Sequence, residues 1–379
     1  MMRCSTALLA AACLVALDAP VQAQVTVGVL IGITGPGAAQ GAGHKNSVSL
    51  LPAEIAGQTV TYLVRDDGGD PTTAANTARK LIAEDHVDAF IGPASTASIA
   101  AVPPIAGEAR APMVASSPYV ADTEGYPYAF GVVPPIKLMV AGVVADMEGR
   151  SLETTGFIGF GDGWGDLVLE ALKEDVAGTG IEVVDEERCS RTDSSAQPQV
   201  LKAMSHHPDA MMLGGSAVPG VLPQIALLQR GCKGTAYNNH GVVGSDYIRV
   251  GGAAVEECVA PAGPLVVFDQ LPDGNVIKPV ATAFMERYLA KFGPQSRNAS
   301  AGYTYDAELL IADAVPAALK AGKPGTVEFR EAIRSGMERT HELVGTQGIH
   351  DMTPADHNGM GARARVMAQV QDGTWKLIR

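Results

Sequence analysis

Short apolar runs alternate with amphipathic segments along most of the chain. Val25–Ile31 is a β-branched run of the kind that a buried parallel strand shows. Residues 72–85 place Ala78, Leu81 and Ile82 on one side, which predicts an amphipathic helix. Strand and helix patterns then follow one another with short loops between them, as in parallel sheets covered by helices on both faces.

The same periodicities predict the elements of the whole chain. Strands are predicted at residues 25–31, 60–64, 87–91, 112–115, 155–160, 181–186, 210–214, 234–238, 257–260, 363–369 and 374–378. Helices are predicted at residues 46–55, 72–85, 98–109, 167–176, 195–205, 222–229, 281–291 and 301–320, and residues 32–43 are predicted to form a glycine-rich loop. These units are too many for one sheet, and a break at residues 130–137 separates two similar halves. The predicted fold class is therefore α/β, with two lobes that each contain a doubly wound parallel sheet.

Composition narrows the class of protein. The 379 residues correspond to two or three domains at roughly 150 residues each. Apolar residues make up 46% and charged residues 18%, which excludes a disordered or coiled-coil chain. The formal net charge of −13 leaves no basic surface for nucleic acid or anionic lipid, so neither is an expected partner.

The first 23 residues have the pattern of an export signal. Arg3 supplies a positive charge, residues 7–17 form an apolar stretch too short to cross a bilayer, and Val21-Gln22-Ala23 offers a cleavage site. A lipoprotein signal that ends at Cys13 is the alternative. We expect cleavage after Ala23 and a soluble, monomeric protein in the periplasm.

Polar and aromatic residues follow the predicted strands at the ends where ligands bind in such sheets. The residues that we single out there are Ser95, Thr96, Ser116, Asp162, Trp164, Ser216 and His240. Ser95 and Thr96 directly precede a predicted helix, whose free N–H groups can hold a carboxylate, which favours ligand contact; the alternative for Ser95 is that it only caps that helix. Trp164 lies in a glycine-rich loop, which favours stacking on a ligand over core packing. His240 remains open between a ligand contact and a structural histidine.

The sequence shows no regular motif for catalysis or cofactor binding. The glycines at 159, 161, 163 and 165 do not fit G-x-G-x-x-G, and residues 214–218 do not form a G-x-S-x-G nucleophile elbow. His350 and His357 have no regular zinc-ligand spacing. Asp66, Asp67 and Asp70 fit turn chemistry better than a cation site. We therefore expect no enzyme activity, no cofactor and no metal.

Several short motifs occur together in a recognisable order. They are Val27-Gly28-Val29-Leu30, Thr34-Gly35-Pro36, Arg65-Asp66-Asp67 with Asp70-Pro71, Ile91-Gly92-Pro93 with Ser95-Thr96, and Trp164-Gly165 after a strand. Residues 25–379 thereby resemble the leucine/isoleucine/valine-binding family of periplasmic solute-binding proteins, which serve ATP-driven (ABC) importers. The resemblance implies the type I fold, with two lobes joined by three crossovers near residues 132–135, 261–264 and 346–350. Lobe 1 would comprise residues 24–133 and 264–346, and lobe 2 would comprise residues 134–263 and 347–379.

The resemblance also assigns roles to residues. It implies that Ser95-Thr96 and the segment from Ser116 to Val120-Ala121 hold the ligand's carboxylate and amine, and that Trp164 covers the ligand. Where amino-acid binders of the family have an acidic residue and a tyrosine for the ammonium, this chain has His240 and Ser216.

The cysteine positions also depart from the family. The disulfide of lobe 1 is missing, because Gly69 and Ala94 stand in place of its cysteines. Residues 24–379 contain the odd count of Cys189, Cys232 and Cys258, so at most one disulfide can form among them.

The expected function is that of the substrate-binding component of a branched-chain amino-acid-type importer, with the permease subunits as partners. A buried ammonium without an acidic partner is costly, so the preferred ligand is a small carboxylic acid, aromatic or aliphatic, rather than an amino acid. Asp162 could still take the place of the missing acid. A ligand-sensing module for a signalling partner on the same fold is the alternative function.

Overall fold

The computed structural model describes residues 24–35, 37–232 and 234–378. The predicted export signal therefore lies outside the described residues. The strands are β1 Val25–Ile31, β2 Glu54–Ile55, β3 Gln58–Asp66, β4 Ala89–Ile91, β5 Met113–Ala115, β6 Ala129–Gly131, β7 Thr154–Phe160, β8 Glu182–Cys189, β9 Ala210–Gly214, β10 Thr235–Asn238, β11 Val259–Ala262, β12 Leu343–Val344, β13 Ile349–His350, β14 Val366–Gln371 and β15 Thr374–Leu377.

The α-helices lie between these strands for most of the chain. They are α1 Ala38–Val48, α2 Pro71–Ala83, α3 Thr96–Ile99, α4 Pro103–Ala109, α5 Ile136–Gly149, α6 Gly163–Val176, α7 Gln197–Met204, α8 Val221–Gln229, α9 Ser245–Gly251, α10 Lys278–Phe292, α11 Ala299–Ala321 and α12 Val327–Met337. None of the helices in the described part of the chain combines the length and the apolar character that a bilayer crossing needs.

Two sheets define two lobes. The sheet of lobe 1 has the order β2-β3-β1-β4-β5-β6, and β1, β3, β4, β5 and β6 pair in parallel. The sheet of lobe 2 has the order β15-β14-β11-β10-β9-β7-β8, in which the pairs that β14 makes are antiparallel and the pairs from β11 to β8 are parallel. The predicted fold class is confirmed, and the antiparallel edges are the terminal hairpin in lobe 2 and the short strand β2 in lobe 1.

Each sheet is buried between helices on both of its faces. In lobe 1 one face packs against α11 and α12, and the other packs against α2 and α4. In lobe 2 one face packs against α5 and α6, and the other packs against α7 and α8. Cores on both faces are what the near-continuous apolar strands of a parallel sheet require.

The helix predicted at residues 46–55 is wrong, because α1 begins earlier, inside the glycine-rich segment. A side chain at Gly41 would overlap the carbonyl oxygen of Gly32, and one at Gly43 would overlap the Ser300 hydroxyl. The glycines therefore let the helix lie close to the loop after β1 and to the start of α11. Two of the residues assigned to the end of the predicted helix form β2 instead.

The last connection between the lobes lies later than predicted. β13 pairs with β12, and Met352 belongs to the core of lobe 1. The imidazole of His357 stacks on Phe130 with 3.9 Å between ring centroids. The chain therefore stays with lobe 1 through residue 358 and enters lobe 2 only at β14, because this segment is packed against the end of β6.

Candidate functional site

A cavity of about 260 Å³ lies between the two lobes, at the carboxyl ends of their parallel strands. Both lobes contribute to its lining. Of the residues predicted from the sequence, those that line it are Ser95, Thr96, Ser116, Asp162, Trp164, Ser216 and His240.

Val120 and Ala121 do not belong to this lining. The chain lines the cavity as far as Pro118 and then runs out to the surface, where Val120 is 73% exposed. The turn that follows is closed by a hydrogen bond from Gly125 N to Asp122 Oδ1 at 2.8 Å. The predicted amine contact on this segment is therefore corrected, since the loop turns away from the cleft.

Hydroxyl groups form much of the lobe 1 wall, and most of them already have partners. The Ser95 hydroxyl accepts from Ser98 N at 3.1 Å and donates to the Ser98 hydroxyl at 2.9 Å, so Ser95 does cap α3. The Thr96 and Ser117 hydroxyl oxygens are 3.4 Å apart. Ser116 differs, because its Oγ is buried and has no hydrogen-bond partner among the described residues. Ser116 is thus an uncommitted hydroxyl in the described part of this wall.

The acidic residues at the end of β3 and in the loop that follows it support this wall from behind. Asp66 accepts hydrogen bonds from Ile33 N at 2.8 Å and from the Thr34 hydroxyl at 2.8 Å, which fixes the loop after β1. Asp67 is fully buried, accepts from Gly69 N at 2.9 Å and has a pKa raised by that burial. Asp70 caps α2. These contacts are the turn chemistry that the sequence predicts.

Trp164 forms a central part of the lobe 2 wall. It is the second residue of α6, is 5% exposed and donates from Nε1 to the carbonyl oxygen of Gly215 at 3.2 Å. A side chain at Gly241 would overlap the indole ring, so the backbone there lies directly against it. The sequence suggested an exposed loop residue. Instead, the glycines form a tight strand-to-helix turn that places Trp164 in the core of lobe 2 and at the edge of the cavity.

Asp162 is committed to partners within its own lobe. Its Oδ1 caps α6 by accepting from Trp164 N at 3.0 Å, and its Oδ2 accepts from Arg191 Nε at 2.6 Å. Arg191 also donates from Nη1 to the Ser216 hydroxyl at 3.0 Å and lies over the Phe160 ring. Asp162, Arg191 and Ser216 thus form one hydrogen-bonded group in the wall.

Arg191 is a cleft residue that sequence reasoning missed. It follows β8, which continues to Cys189, whereas the predicted strand ended at residue 186. The rule that selected the other strand-end residues would have selected Arg191 had the end of that strand been placed correctly.

His240 is the second ring of the lobe 2 wall. It is 5% exposed, its ring centroid is 5.6 Å from that of Trp164, and burial lowers its pKa to about 4. Both ring nitrogens are buried and have no hydrogen-bond partner among the residues that the structure describes. Asn239 fixes the turn beside it by donating to the carbonyl oxygens of Leu213 and Gly215.

The charges of the cavity come from one lobe only. Within the described lining, the side chains that carry charge are Asp162, Arg191 and Asp246, all in lobe 2. Asp162 pairs with Arg191, and Asp246 pairs with Arg249 at 2.6 Å. His44 of lobe 1 also lines the cavity, but burial lowers its pKa to about 3, so it is uncharged at neutral pH. Asp162 and Asp246, the carboxylates of the described lining, therefore each lie beside an arginine of lobe 2.

A hydrogen bond between α1 and the turn after β10 joins the two walls. Gln40 Nε2 of α1 donates to the carbonyl oxygen of Gly241 at 3.1 Å, and both residues line the cavity. The backbone of Gln40 is held in turn, because its carbonyl oxygen accepts from the Ser300 hydroxyl at 2.9 Å. The lobes are thus in direct contact beside the cavity.

His350, His357 and the three cysteines of residues 24–379 are the sequence's candidates for a metal site and for a disulfide. Among the described residues, no group of three or more His, Cys, Asp or Glu side chains could hold a metal ion. His350 lies 3.9 Å from Asp306, whereas His357 packs near Glu338 at 3.3 Å, so the two histidines do not form a common site. Cys189, Cys232 and Cys258 are free thiols.

Two α/β lobes that enclose a small cavity at their strand ends define a solute-binding protein of type I. The chain belongs to the periplasmic binding protein family, whose sequence profile matches residues 24–374. The resemblance to the leucine/isoleucine/valine-binding type is thereby confirmed.

Solved structures agree with this assignment. An extracellular ligand-binding receptor from Rhodopseudomonas palustris is 34% identical, with a TM-score of 0.91 over 94% of this chain and 99% of that one. A leucine-binding protein from Thermotoga maritima is 23% identical, with a TM-score of 0.80 over 94% of this chain and 98% of that one. An ABC transporter solute-binding protein from R. palustris in complex with 4-hydroxybenzoate is 20% identical, with a TM-score of 0.79 over 94% of this chain and 96% of that one. No curated protein matches the chain.

Proposed function

We propose that this protein is the substrate-binding component of an ABC importer and that its ligand is a small carboxylic acid without an α-ammonium group. It would bind the acid between its lobes in the periplasm, after cleavage of the signal behind Ala23, and deliver it unchanged to the permease in the inner membrane. The cavity of about 260 Å³ suits a metabolite rather than a larger molecule.

The observation that supports this ligand class is that the carboxylates in the cavity are ion-paired with arginines. Asp162 and Asp246 are both paired with arginines of their own lobe. An ammonium group would therefore have to compete with a guanidinium for its partner, and a buried ammonium without a partner is costly. A carboxylate makes no such demand. It can accept hydrogen bonds from the Ser116 hydroxyl and from backbone N–H groups of the lobe 1 wall.

The ligand of one neighbouring solved structure belongs to the chemical class proposed here. One of them holds 4-hydroxybenzoate, a carboxylic acid without an ammonium group, although at 20% identity it supports the fold rather than the ligand. The leucine-binding neighbour has a similarly low identity of 23%. The ligand class is therefore argued from the residues of this cavity.

Matched ligands test the proposal directly. Leucine and 4-methylpentanoate differ only in the ammonium group, as do phenylalanine and 3-phenylpropanoate. In isothermal titration calorimetry we expect the acid of at least one pair to bind roughly tenfold more tightly or better, the scale of one charge-assisted hydrogen bond. Leucine binding more tightly than every such acid, and losing that binding in Asp162→Asn, would assign the protein to amino acids instead.

A further inference from the structure

His240 combines two properties that together restrict the chemistry of its partner. Its side chain is 5% exposed and lines the cavity, and both of its ring nitrogens lack a hydrogen-bond partner among the described residues. The other histidine of the cavity differs, because His44 Nδ1 lies 2.9 Å from the Thr304 hydroxyl. His240 therefore has unused hydrogen-bonding capacity at the ligand cavity, where unused capacity is costly.

The protonation state of His240 decides what can use that capacity. Burial lowers the pKa of this imidazole to about 4, so the ring is neutral at physiological pH. A neutral imidazole has one N–H donor and one nitrogen lone pair that accepts. A carboxylate can only accept, an ammonium can only donate, and an apolar group can do neither. A hydroxyl group can accept from the N–H or donate to the lone pair, so it can pair with whichever ring nitrogen faces the cavity.

We infer that the ligand is a hydroxy acid and that His240 is the residue that recognises its hydroxyl group. This inference rests on the proposed function, because it takes the ligand to be a carboxylic acid held between the lobes. The carboxylate then lies toward the lobe 1 wall with its uncommitted Ser116 hydroxyl, and the ligand hydroxyl lies toward His240 and Trp164 in lobe 2. Each lobe thus forms hydrogen bonds with one polar group of the same ligand.

The inference predicts a specificity that the carboxylate alone would not give. A site built to hydrogen-bond a hydroxyl discriminates strongly against the analogue that lacks it, because the analogue leaves buried polar atoms unpaired. A cavity whose lobe 2 side were only apolar would bind the two analogues with similar affinity. The difference between hydroxylated and deoxy acids therefore measures the role of His240.

Calorimetry with two matched pairs tests the inference on the purified full chain. The pairs are 4-hydroxybenzoate with benzoate, and 2-hydroxy-4-methylpentanoate with 4-methylpentanoate. We expect the hydroxylated member of at least one pair to bind about tenfold more tightly or better. Equal binding within both pairs overturns the inference but leaves the proposed function in place. Binding of none of the four acids, together with tight binding of leucine, overturns the proposed function.

Two variants identify the residue responsible. His240→Phe keeps a ring but removes both nitrogens, and we expect the preference for the hydroxylated acid to fall to about twofold or less. His240→Gln keeps one donor and one acceptor, and we expect it to retain most of the preference. A preference that persists in His240→Phe would place hydroxyl recognition elsewhere. Circular dichroism spectra of both variants check the fold. If one variant fails to fold, the comparison in the unmodified protein still tests the hydroxy-acid ligand, and the other variant tests the role of His240.

Discussion

The two walls of the cleft place different kinds of side chain at the same structural position, the carboxyl ends of the parallel strands. Lobe 1 places small hydroxyl residues after its strands, and its described lining carries no charged side chain at neutral pH. Lobe 2 places a tryptophan, a histidine and an Asp162–Arg191 pair after its strands. Both walls follow the rule that ligands meet the carboxyl ends of parallel strands.

This difference between the walls shows which cleft residues also stabilise the fold. The Ser116 hydroxyl has no partner among the described residues. Trp164, in contrast, packs in the core of lobe 2 and donates a hydrogen bond to the carbonyl oxygen of Gly215. Ser116 can therefore change its side chain at little structural cost. Trp164 cannot, because the side chain that faces the cavity also stabilises the turn beside it.

The largest expected effect concerns stability in lobe 2. Trp164→Ala removes a buried indole from the core, and we expect the free energy of unfolding to fall by about 3–5 kcal/mol. Urea denaturation followed by circular dichroism measures this change. The matched control in lobe 1 is Ser116→Ala, for which we expect a change within about 1 kcal/mol, because no hydrogen bond within the described protein is lost. Similar losses in the two variants would remove the distinction between the walls.

The next effect concerns pH and belongs to lobe 1. Burial raises the pKa of Glu308 on α11 from 4.5 to about 7. Between about pH 4.5 and 7 the folded state therefore holds a proton that the unfolded state has lost. The stability that the protonated Glu308 contributes is fully present below pH 4.5 and is lost as the pH rises through about 7. We expect a decline of about 3 kcal/mol, from roughly 1.4 kcal/mol for each pH unit.

Hydrogen exchange can assign that decline to one lobe. Amides of β1 and β3 should lose protection as the pH rises, beyond the intrinsic increase in exchange rate, whereas amides of β7 and β9 should not. Glu308→Gln keeps the shape of the side chain without the titration, and it should flatten the decline. A decline that survives in this variant would have another origin.

A third effect concerns the charge of the cleft. Arg191→Met leaves the Asp162 carboxylate without its partner, so the lobe 2 wall gains a negative charge. At a separation of about 8 Å and an effective dielectric constant of about 20, that charge would repel a bound carboxylate by about 2 kcal/mol. We expect calorimetry at low salt to show roughly thirtyfold weaker binding of the acids and improved binding of leucine. Arg191→Lys keeps the charge and serves as the control; a loss equal to that in Arg191→Met would mean that geometry rather than charge matters.

The smallest effect concerns the backbone. Ala217 lines the lobe 2 wall with φ of 50° and ψ of −160°, a conformation that is favourable only for glycine. We expect Ala217→Gly to raise the free energy of unfolding by about 1 kcal/mol, the strain relieved less the entropy that glycine loses. Ala94 in the lobe 1 wall has no positive φ, and Ala94→Gly should lower the free energy of unfolding instead. A destabilised Ala217→Gly variant would show that this turn is not strained.

Much of the fold could be predicted from the sequence because buried parallel strands have a strong apolar signal. β1 has the predicted bounds, and the two-lobed α/β class follows from the alternation of strands and helices. The start of α1 could not be predicted, because glycine is typical of loops unless the close approach that it permits is known. The packing of residues 349–358 on lobe 1 likewise depends on contacts distant in sequence, such as that of His357 with Phe130.

The residues of the cleft could be predicted only where the end of the preceding strand was placed correctly. Residues that directly follow well-placed strands, such as Ser116 and Ser216, do line the cavity. Arg191 was missed because the polar second half of β8 does not resemble a buried strand. The environments of Trp164 and Asp162 could not be read from the sequence, since burial and ion pairing depend on neighbours from other elements.

The connectivity of the lobes has a consequence for the order of events during synthesis. The core of lobe 1 needs α11, α12 and Met352 to cover β1 and its neighbours. The sheet of lobe 2 needs β14 to cover the edge of β11. A chain made from its amino terminus therefore exposes two unfinished sheets until α12 and β14 have been made, so neither lobe can fold to completion before those elements are available.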